Sequence, residues 1–363
     1  MNQVFFVTGS SRGFGRQIAE QALAAGHRVV ATARNPHDLD DLATRYGDSV
    51  HVEQLDVTDP AAAQRAVENG AAAFGRLDVV VNNAGQGDRV SLEDTTIEDF
   101  RRQVETNFLG TVYVTKAAVP ILRKQGGGRI IQISSLGGRI GSPGMTAYQS
   151  AKWAVGGFSE ALAAEVAPLG IKVTVIEPGG MRTDWAGASM TTPPPSAPYR
   201  DTVGASARAM AGFERVANSD PRKVARIVLT VAELENPPLR LLVGSDAYEY
   251  GREAWQHRIE TDEKSEALSR SADHDEAGGA WQRQRGSSLP GLQPDRSQID
   301  LAEGDAGKVA GTALHDGAAW HLGVEGRQLQ PDTSAQEHIH LFGATAVGTR
   351  DASPCMGGLG GLG

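Results

Sequence analysis

The sequence predicts an α/β protein built on a doubly wound, seven-stranded parallel sheet with helices on both faces. Seven short apolar runs alternate with longer amphipathic segments, and polar motifs directly follow several of the runs. This alternation is typical of a parallel sheet, which binds its ligand beyond the carboxyl ends of the strands. The predicted strands cover residues 4–8, 28–34, 50–56, 77–82, 129–134, 172–177 and 239–244. The predicted helices lie near residues 13–25, 38–46, 60–74, 97–124, 147–168 and 221–235.

The first strand, turn, helix and second strand form a unit suited to phosphate binding. Gly9, Gly13 and Gly15 stand between the first apolar run and the helix. Glycine lets the backbone approach a pyrophosphate, and a helix N-terminus offers free N–H groups and a positive dipole end. The spacing is Gly-x-x-x-Gly-x-Gly rather than the common Gly-x-Gly-x-x-Gly, and an ordinary cluster of turn glycines is the alternative. Because a good strand and a good helix flank the glycines, we predict a dinucleotide site.

The end of the second strand predicts which dinucleotide binds. An acidic residue there accepts a hydrogen bond from the ribose of NAD, whereas an arginine accommodates the 2′-phosphate of NADP. The chain has Arg34 at this point without a neighbouring carboxylate, and Arg12 adds a second cation within the glycine turn. Either arginine alone is equally well explained as a solvated surface charge. Two guanidinium groups that grip one phosphate favour NADP(H).

Three side chains form a candidate acid–base site. Tyr148 and Lys152 stand four residues apart in a predicted helix and so share one face, and Ser135 lies thirteen residues upstream of Tyr148. The nearby ammonium is expected to lower the pKa of the tyrosine from about 10 to about 7. Such a phenol exchanges a proton with a carbonyl or alcohol oxygen at neutral pH, and Ser135 can donate a hydrogen bond to that oxygen.

The ordered set of motifs resembles the short-chain dehydrogenase/reductase family, in its compact single-domain subtype. The resemblance covers residues 1 to about 270 and implies a Rossmann-like fold. One such motif is weak evidence, whereas all of them in the family's order are specific. The matching motifs are Thr8-Gly9-Ser10-Ser11-Arg12-Gly13-Phe14-Gly15, Asp56-Val57, Asn82-Asn83-Ala84-Gly85, Asn107, Ser135, Tyr148, Lys152 and Pro178-Gly179-Gly180-Met181-Arg182-Thr183.

The resemblance implies a role for each matching residue. Tyr148 is implied to be the general acid/base, Lys152 to lower its pKa and hold the nicotinamide ribose, and Ser135 to orient the substrate carbonyl. Asn107 is implied to hold a water that relays protons from the lysine to solvent. With Arg34, the predicted cofactor-binding residues are Gly9, Ser11, Arg12, Gly13, Phe14, Gly15, Asp56, Val57, Asn83, Ala84, Gly85, Tyr148, Lys152, Pro178, Gly179, Met181 and Thr183.

Residues 184–218, the lid segment, match the position of the family's mobile substrate lid. Thr191-Thr192-Pro193-Pro194-Pro195 cannot continue a helix, so we expect a largely irregular stretch. Its larger apolar side chains either line the substrate or anchor the lid. We predict substrate contacts from Ser135, Met145, Tyr148 and Trp185, with Met190, Tyr199, Met210 and Phe213 as further apolar candidates. A mid-sized apolar ketone or alcohol is the expected substrate, and Arg182, Arg200 and Arg208 stay open as charged contacts.

Composition sets the remaining expectations. We predict one domain over residues 1–270 and a low-complexity, disordered tail over 277–363, whose composition fits either a functional appendix or a stretch without a selected role. The net charge of −9 argues against nucleic acid, and no apolar run is long enough to span a membrane. The single cysteine, Cys355, allows no intrachain disulfide, and an immediate first strand leaves no room for a signal peptide, so we expect the cytoplasm. We predict no metal, and the family implies a homodimer or homotetramer.

The sequence therefore predicts reversible hydride transfer between NADP(H) and a carbonyl or secondary alcohol. A redox sensor that binds NADPH without turnover is the alternative, although a sensor needs the glycine turn and not the Ser-Tyr-Lys-Asn set. An epimerase or dehydratase of the longer subtype is a third reading. The glycine spacing and the lack of a predicted structured C-terminal substrate domain argue against this third function.

Overall fold

The computed structural model describes residues 2–182, 190–211 and 217–273. Within them, seven parallel strands form the main sheet, and each begins and ends within two residues of its predicted counterpart. Two further strands of two residues each form a separate parallel pair. The strands are β1 (Val4–Val7), β2 (Arg28–Ala33), β3 (Val50–Gln54), β4 (Val79–Asn82), β5 (Gly87–Asp88), β6 (Gly128–Ile133), β7 (Ile171–Pro178), β8 (Met190–Thr191) and β9 (Arg240–Val243).

The strand order β3-β2-β1-β4-β6-β7-β9 makes the main sheet doubly wound, as predicted. The chain runs outward from β1 to β3 and then returns to the other side of β1, which puts a switch point between β1 and β4. Val7 at the end of β1 pairs with Ala31 of β2 and Val81 of β4. The central strands therefore end nearly level, and the residues that follow them share one edge of the sheet. The helices are α1 (Gly13–Ala24), α2 (Asp40–Tyr46), α3 (Pro60–Phe74), α4 (Ile97–Val104), α5 (Gly110–Lys124), α6 (Thr146–Val166), α7 (Val203–Met210), α8 (Pro221–Glu233), α9 (Ser245–Lys264) and α10 (Glu266–Arg270).

Two apolar cores lie on opposite faces of the sheet, because successive side chains of a strand point to opposite sides. Phe5 packs in one core with Ile18 of α1 and Val228 of α8. Phe6, its neighbour in β1, packs in the other core with residues of α3, α5 and α6 such as Val67. The Rossmann-like fold class that the sequence predicts is thus confirmed. Among the described helices, none combines the length and the apolar character required to cross a bilayer.

Three regions differ from the sequence prediction. The predicted helix 97–124 is interrupted by a π-helical stretch at Glu105–Leu109, where the Asn107 side chain donates to the Gln103 carbonyl and competes with the backbone for it. The lid segment contains β8 and α7, where an irregular stretch was expected. The helix α9 was not predicted, because its surface is mostly polar and it buries small residues, Ala247 and Gly251.

The lid segment is tied to the sheet at its base. Met181 and Ser219 form a parallel bridge, and the Ser219 backbone N–H donates to the Gly180 carbonyl over 3.1 Å. Inside the segment, β8 pairs with β5, which begins two residues after Gly85. The two ends of the lid segment are therefore held together at one point of the sheet edge. Within the segment, β8 is hydrogen-bonded to β5 in the loop that follows β4.

Candidate functional site

The predicted motifs meet at the carboxyl edge of the sheet. Gly9 follows β1, Ala84 follows β4, Ser135 follows β6 and Pro178 ends β7. These strands are neighbours or near neighbours around the switch point, so residues that are far apart in sequence border one crevice.

The glycine turn packs tightly against the segment after β4. Gly9 has a φ of 68°, and a Cβ on it would lie 3.2 Å from the Ala84 Cα. A Cβ on Gly15 would lie 2.3 Å from the Gly9 carbonyl oxygen, so only glycine is accommodated. The Thr8 hydroxyl accepts hydrogen bonds from the backbone N–H groups of Asn83 (2.8 Å) and Ala84 (2.9 Å). These contacts hold both backbone segments in fixed positions.

The start of α1 is suited to an anionic group. Arg12 is the N-cap residue, and no side chain caps the helix. Gly13 has a φ of 59° and open space where a side chain would be, so a ligand can reach the backbone there. Arg12 and Arg34 are both exposed, and neither forms an ion pair within the described part of the chain. A phosphorylated dinucleotide would find free N–H groups and the Arg12 cation at this turn, with Arg34 available at the end of the neighbouring strand β2.

Other predicted cofactor residues contribute in more limited ways. Phe14 and Val57 bury their side chains in the two cores, which leaves their backbones for a ligand. Asp56 is exposed, and its Oδ1 accepts from the backbone N–H and the hydroxyl of Thr58 at 3.0 and 2.8 Å. Ser11 stands half-buried within the glycine turn, between Gly9 and Gly13. These residues border the same edge of the sheet as the glycine turn.

Ser135 and Tyr148 come together beside the crevice. Ser135 begins the short turn after β6, where its Oγ accepts from the Gly137 backbone N–H at 3.0 Å. Tyr148 lies in the first turn of α6, and its side chain is hydrogen-bonded to that of Ser135. A Cβ on Gly137 would lie 3.4 Å from both Ser135 Oγ and Tyr148 Cε1. The two hydroxyl groups can therefore form hydrogen bonds with a single substrate oxygen.

Lys152 lies one helical turn after Tyr148 and is buried with it. Its Nζ is 5.7 Å from the centroid of the Tyr148 ring and donates to the Ile133 carbonyl at 2.8 Å. A Cβ on Gly85 would lie 3.7 Å from this Nζ and 2.8 Å from Asn107 Oδ1. Lys152, Gly85 and Asn107 are therefore close neighbours.

The pKa of Tyr148 shifts in the direction opposite to the one expected. Burial raises it to about 12, because removal from water disfavours the phenolate more than the hydrogen bond with Ser135 favours it. Burial also lowers the pKa of Lys152 to about 8, and the amine donates to a backbone carbonyl. The expectation that the lysine brings the phenol to about 7 is therefore wrong for this arrangement. The site holds a phenol that keeps its proton at neutral pH.

Asn107 occupies the centre of the π-helical stretch and is almost fully buried. Its Nδ2 donates to the carbonyls of Gln86 and Gln103, each at 2.8 Å, and its Oδ1 accepts from the Gln86 backbone N–H at 3.1 Å. The side chain thus fixes the segment that follows Gly85.

Pro178, Gly179 and Met181 lie at or just after the end of β7, on the carboxyl edge of the sheet. The Gly180 backbone N–H donates to Asp246 Oδ2 at 2.7 Å, and a Cβ on Gly179 would collide with that carboxylate. Met181 packs against the first core. Met145 is buried at the start of α6, three residues before Tyr148. Thr183, Trp185 and Phe213 lie outside the described residues.

Several residues that support the site were missed by the sequence prediction. The Ser134 hydroxyl donates to the Lys152 carbonyl at 3.2 Å and ties α6 to the end of β6. Glu177, fully buried in β7, binds both Arg139 and Arg240. No motif marks these residues, because their roles depend on strands and loops that are far apart in sequence.

Known proteins resemble the chain over the same region. Residues 3–193 match the family described as short chain dehydrogenase. Oxidoreductase BOA17 of Botryotinia fuckeliana is 54% identical over 270 residues, 74% of this chain and 98% of that protein. A solved short-chain dehydrogenase from Streptomyces avermitilis is 36% identical with a TM-score of 0.71, and covers 76% of this chain and 100% of its own. The solved structure of ElxO with NADP bound is 26% identical with a TM-score of 0.58, and covers 69% of this chain and 100% of its own. With the sheet and the motifs at its edge, these matches establish that the chain belongs to the short-chain dehydrogenase/reductase family of oxidoreductases.

Proposed function

We propose that the chain is an NADP(H)-dependent oxidoreductase that interconverts a carbonyl group and a secondary alcohol. The observation that carries the proposal is the hydrogen-bonded pair of hydroxyl groups on half-buried Ser135 and buried Tyr148, with Lys152 beside them. The pair lies at the same edge of the sheet as the glycine turn with Arg12 and as Arg34 at the end of β2.

The residues of the site favour protonation of a substrate oxygen. Tyr148 keeps its proton at neutral pH because burial raises its pKa, so its hydroxyl can give that proton to an alkoxide as the alkoxide forms. Ser135 stabilises the same oxygen by hydrogen bonding. When bound, the nicotinamide supplies the hydride that reduces the carbonyl carbon. Hydride on carbon and a proton on oxygen together give the alcohol.

Binding of the dinucleotide would use residues around the switch point. The N–H groups at the start of α1 would receive the pyrophosphate, Asp56 the adenine, and the segment after β4 the ribose. Lys152 is close enough to Gly85 to hold the nicotinamide ribose. Arg12 and Arg34 would bind the 2′-phosphate, and the relative ElxO, whose structure contains NADP, supports this preference.

Replacing Arg34 with aspartate is expected to change the preferred dinucleotide. The carboxylate would repel the 2′-phosphate of NADPH and accept from the 2′-hydroxyl of NADH, so the kcat/KM ratio of NADPH to NADH should fall about 10–100-fold. Steady-state kinetics with both dinucleotides provide the measurement. The control is Arg123→Asp, since Arg123 is exposed in the last turn of α5, at the opposite edge of the sheet. An unchanged ratio in Arg34→Asp would refute the proposed role of Arg34.

Alcohol oxidation is expected to accelerate as the pH rises. Oxidation requires the Tyr148 phenolate, and with the pKa raised to about 12 its fraction grows about tenfold per pH unit below that value. Reduction requires the protonated phenol, which remains the dominant form in the neutral range. The measurement is kcat in both directions from about pH 6 to about pH 9 with saturating dinucleotide. Oxidation that slows as the pH rises would contradict the assignment of Tyr148.

We propose that the substrate has an apolar body. Met145 is buried three residues before Tyr148, and Met190 lies in β8 beside the loop that follows β4. Tyr199 is better explained as an anchor of the lid segment, because its hydroxyl donates to Glu93 at 2.7 Å.

The test of the proposed function is dinucleotide consumption by the full chain with a panel of ketones and aldehydes. An oxidoreductase of this kind should consume NADPH only when a carbonyl compound is present, and should form the corresponding alcohol. A protein that binds NADPH with no turnover of any panel member would instead be the sensor.

A further inference from the structure

Arg89 is a buried cation that has no acidic partner among the described residues. Its side chain is 6% exposed, although it stands in the loop directly after β5. Its Nη1 donates to the Ser206 hydroxyl of α7 at 2.6 Å, and no carboxylate within the described residues forms an ion pair with it. Burial alone lowers the pKa of Arg89, with no neighbouring acid to raise it. Arg139 and Arg240, by contrast, share the buried Glu177.

Arg89 lies where the lid segment meets the loop that precedes Tyr148. Its backbone N–H donates to the Thr191 carbonyl at 2.8 Å, and the next residue, Val90, donates to the Gly144 carbonyl at 2.9 Å. A Cβ on Gly144 would lie 3.1 Å from Arg89 Cγ. Met145, a predicted substrate contact, is the residue after Gly144. Arg89 is thus on the substrate side of the site, whereas Arg12 and Arg34 follow β1 and β2 on the dinucleotide side.

The charge of Arg89, and those of its N–H groups that have no protein acceptor among the described residues, indicate which kind of ligand it would bind. A guanidinium has five N–H donors, and the hydroxyl of Ser206 accepts one hydrogen bond from it. A buried cation is unfavourable unless a counter-ion or further acceptors compensate for lost hydration. A carboxylate supplies one negative charge and two oxygens in the geometry that a guanidinium binds best. A phosphate dianion would leave excess charge in the same buried place.

We propose that the substrate is a ketone or alcohol that carries a carboxylate, and that Arg89 binds this carboxylate while the reacting oxygen lies at Ser135 and Tyr148. The inference rests on the proposed function and adds the substrate class. It also accounts for a buried cation that lies near apolar side chains such as Met145, on the substrate side of the site. In such a substrate, an apolar chain connects the reacting carbonyl or alcohol group with a carboxylate that takes no part in the reaction.

The test compares medium-chain oxo acids, which differ in the number of methylene groups between ketone and carboxylate, with their methyl esters. With the full chain and NADPH, we expect kcat/KM for the best acid to exceed that of its ester by about 10–100-fold. Arg89→Met should remove this preference, because kcat/KM for the acid falls to about that of the ester. The matched control is Arg129→Met, because Arg129 is also a partly buried arginine without an ion pair among the described residues, at the opposite edge of the sheet. This variant should keep the preference for the acid.

Thermal unfolding with NADP⁺ present gives a readout that does not need turnover. The oxo acid should raise the unfolding temperature of the wild type and of Arg129→Met more than the ester does, and should lose this advantage in Arg89→Met. Equal kcat/KM values for acid and ester in the wild type, or equal losses for both in Arg89→Met, would overturn the inference. If the acid binds through Arg89 but neither compound is reduced, the proposed function fails and the carboxylate site stands.

Discussion

Replacing Tyr148 with phenylalanine is expected to lower kcat for ketone reduction by about 10²–10⁴-fold. The substitution removes the proton donor and its hydrogen bond with Ser135, while the ring beside Lys152 remains. Because the remainder of the dinucleotide site is unchanged, NADPH affinity should stay within a few-fold of the wild type. The measurements are steady-state kinetics for kcat and NADPH fluorescence for binding.

A second tyrosine provides the control for this prediction. Tyr113→Phe removes a hydroxyl from a partly buried residue of α5, which packs against the second core away from Ser135. This variant should retain nearly wild-type turnover. A wild-type kcat in Tyr148→Phe would show that the phenol is not the proton donor. A loss of NADPH binding equal to the loss of kcat would indicate a damaged site instead of a missing proton donor.

Replacing Glu177 with glutamine is expected to lower the free energy of unfolding by about 3–5 kcal/mol. The carboxylate is fully buried, with Arg139 Nε at 2.7 Å and Arg240 Nε at 3.1 Å. Glutamine keeps the volume but leaves two guanidinium groups beside a neutral amide. Glu177 precedes Pro178 and pairs in register with Leu242 of β9, the edge strand. The loss of stability should therefore also affect the pairing of β7 with β9.

Urea unfolding of the full chain measures this effect as a lower midpoint with little change in slope. Glu160→Gln is the matched control, because Glu160 binds Arg240 at 2.8 Å but is about half exposed. An exposed pair contributes about 0–1 kcal/mol, so this variant should unfold close to the wild-type midpoint. Equal decreases in the free energy of unfolding of the two variants would show that the contribution of Glu177 to stability does not depend on its burial.

The fold was largely predictable from sequence because its signals are local. Most strands of the main sheet are short apolar runs, and the amphipathic helices between them imply parallel pairing, as observed. The helix α9 and the pair β5–β8 were missed for a physical reason. A helix with few buried side chains has a weak apolar period, and strands of two residues have none.

The site was predictable where a motif carries its chemistry and not where distant contacts determine it. Ser135, Tyr148, Lys152 and Asn107 meet as their spacing and the family resemblance implied. The pKa of Tyr148 was not predictable, because it depends on how deeply the folded chain buries the phenol. Arg89 was missed because its burial depends on three segments that come together only in the folded chain.

The bridge between Met181 and Ser219 at the ends of the lid segment should make the sequence of that segment easy to exchange. Because Met181 and Ser219 are bridged, the chain between them enters and leaves the sheet at a single point. Lengthening or rewriting an insert whose ends are held together adds little entropy penalty and leaves the cores intact. Grafting the corresponding stretch from a relative should therefore transfer selectivity as a unit, provided that its contacts with β5, Arg89 and Glu93 are kept compatible.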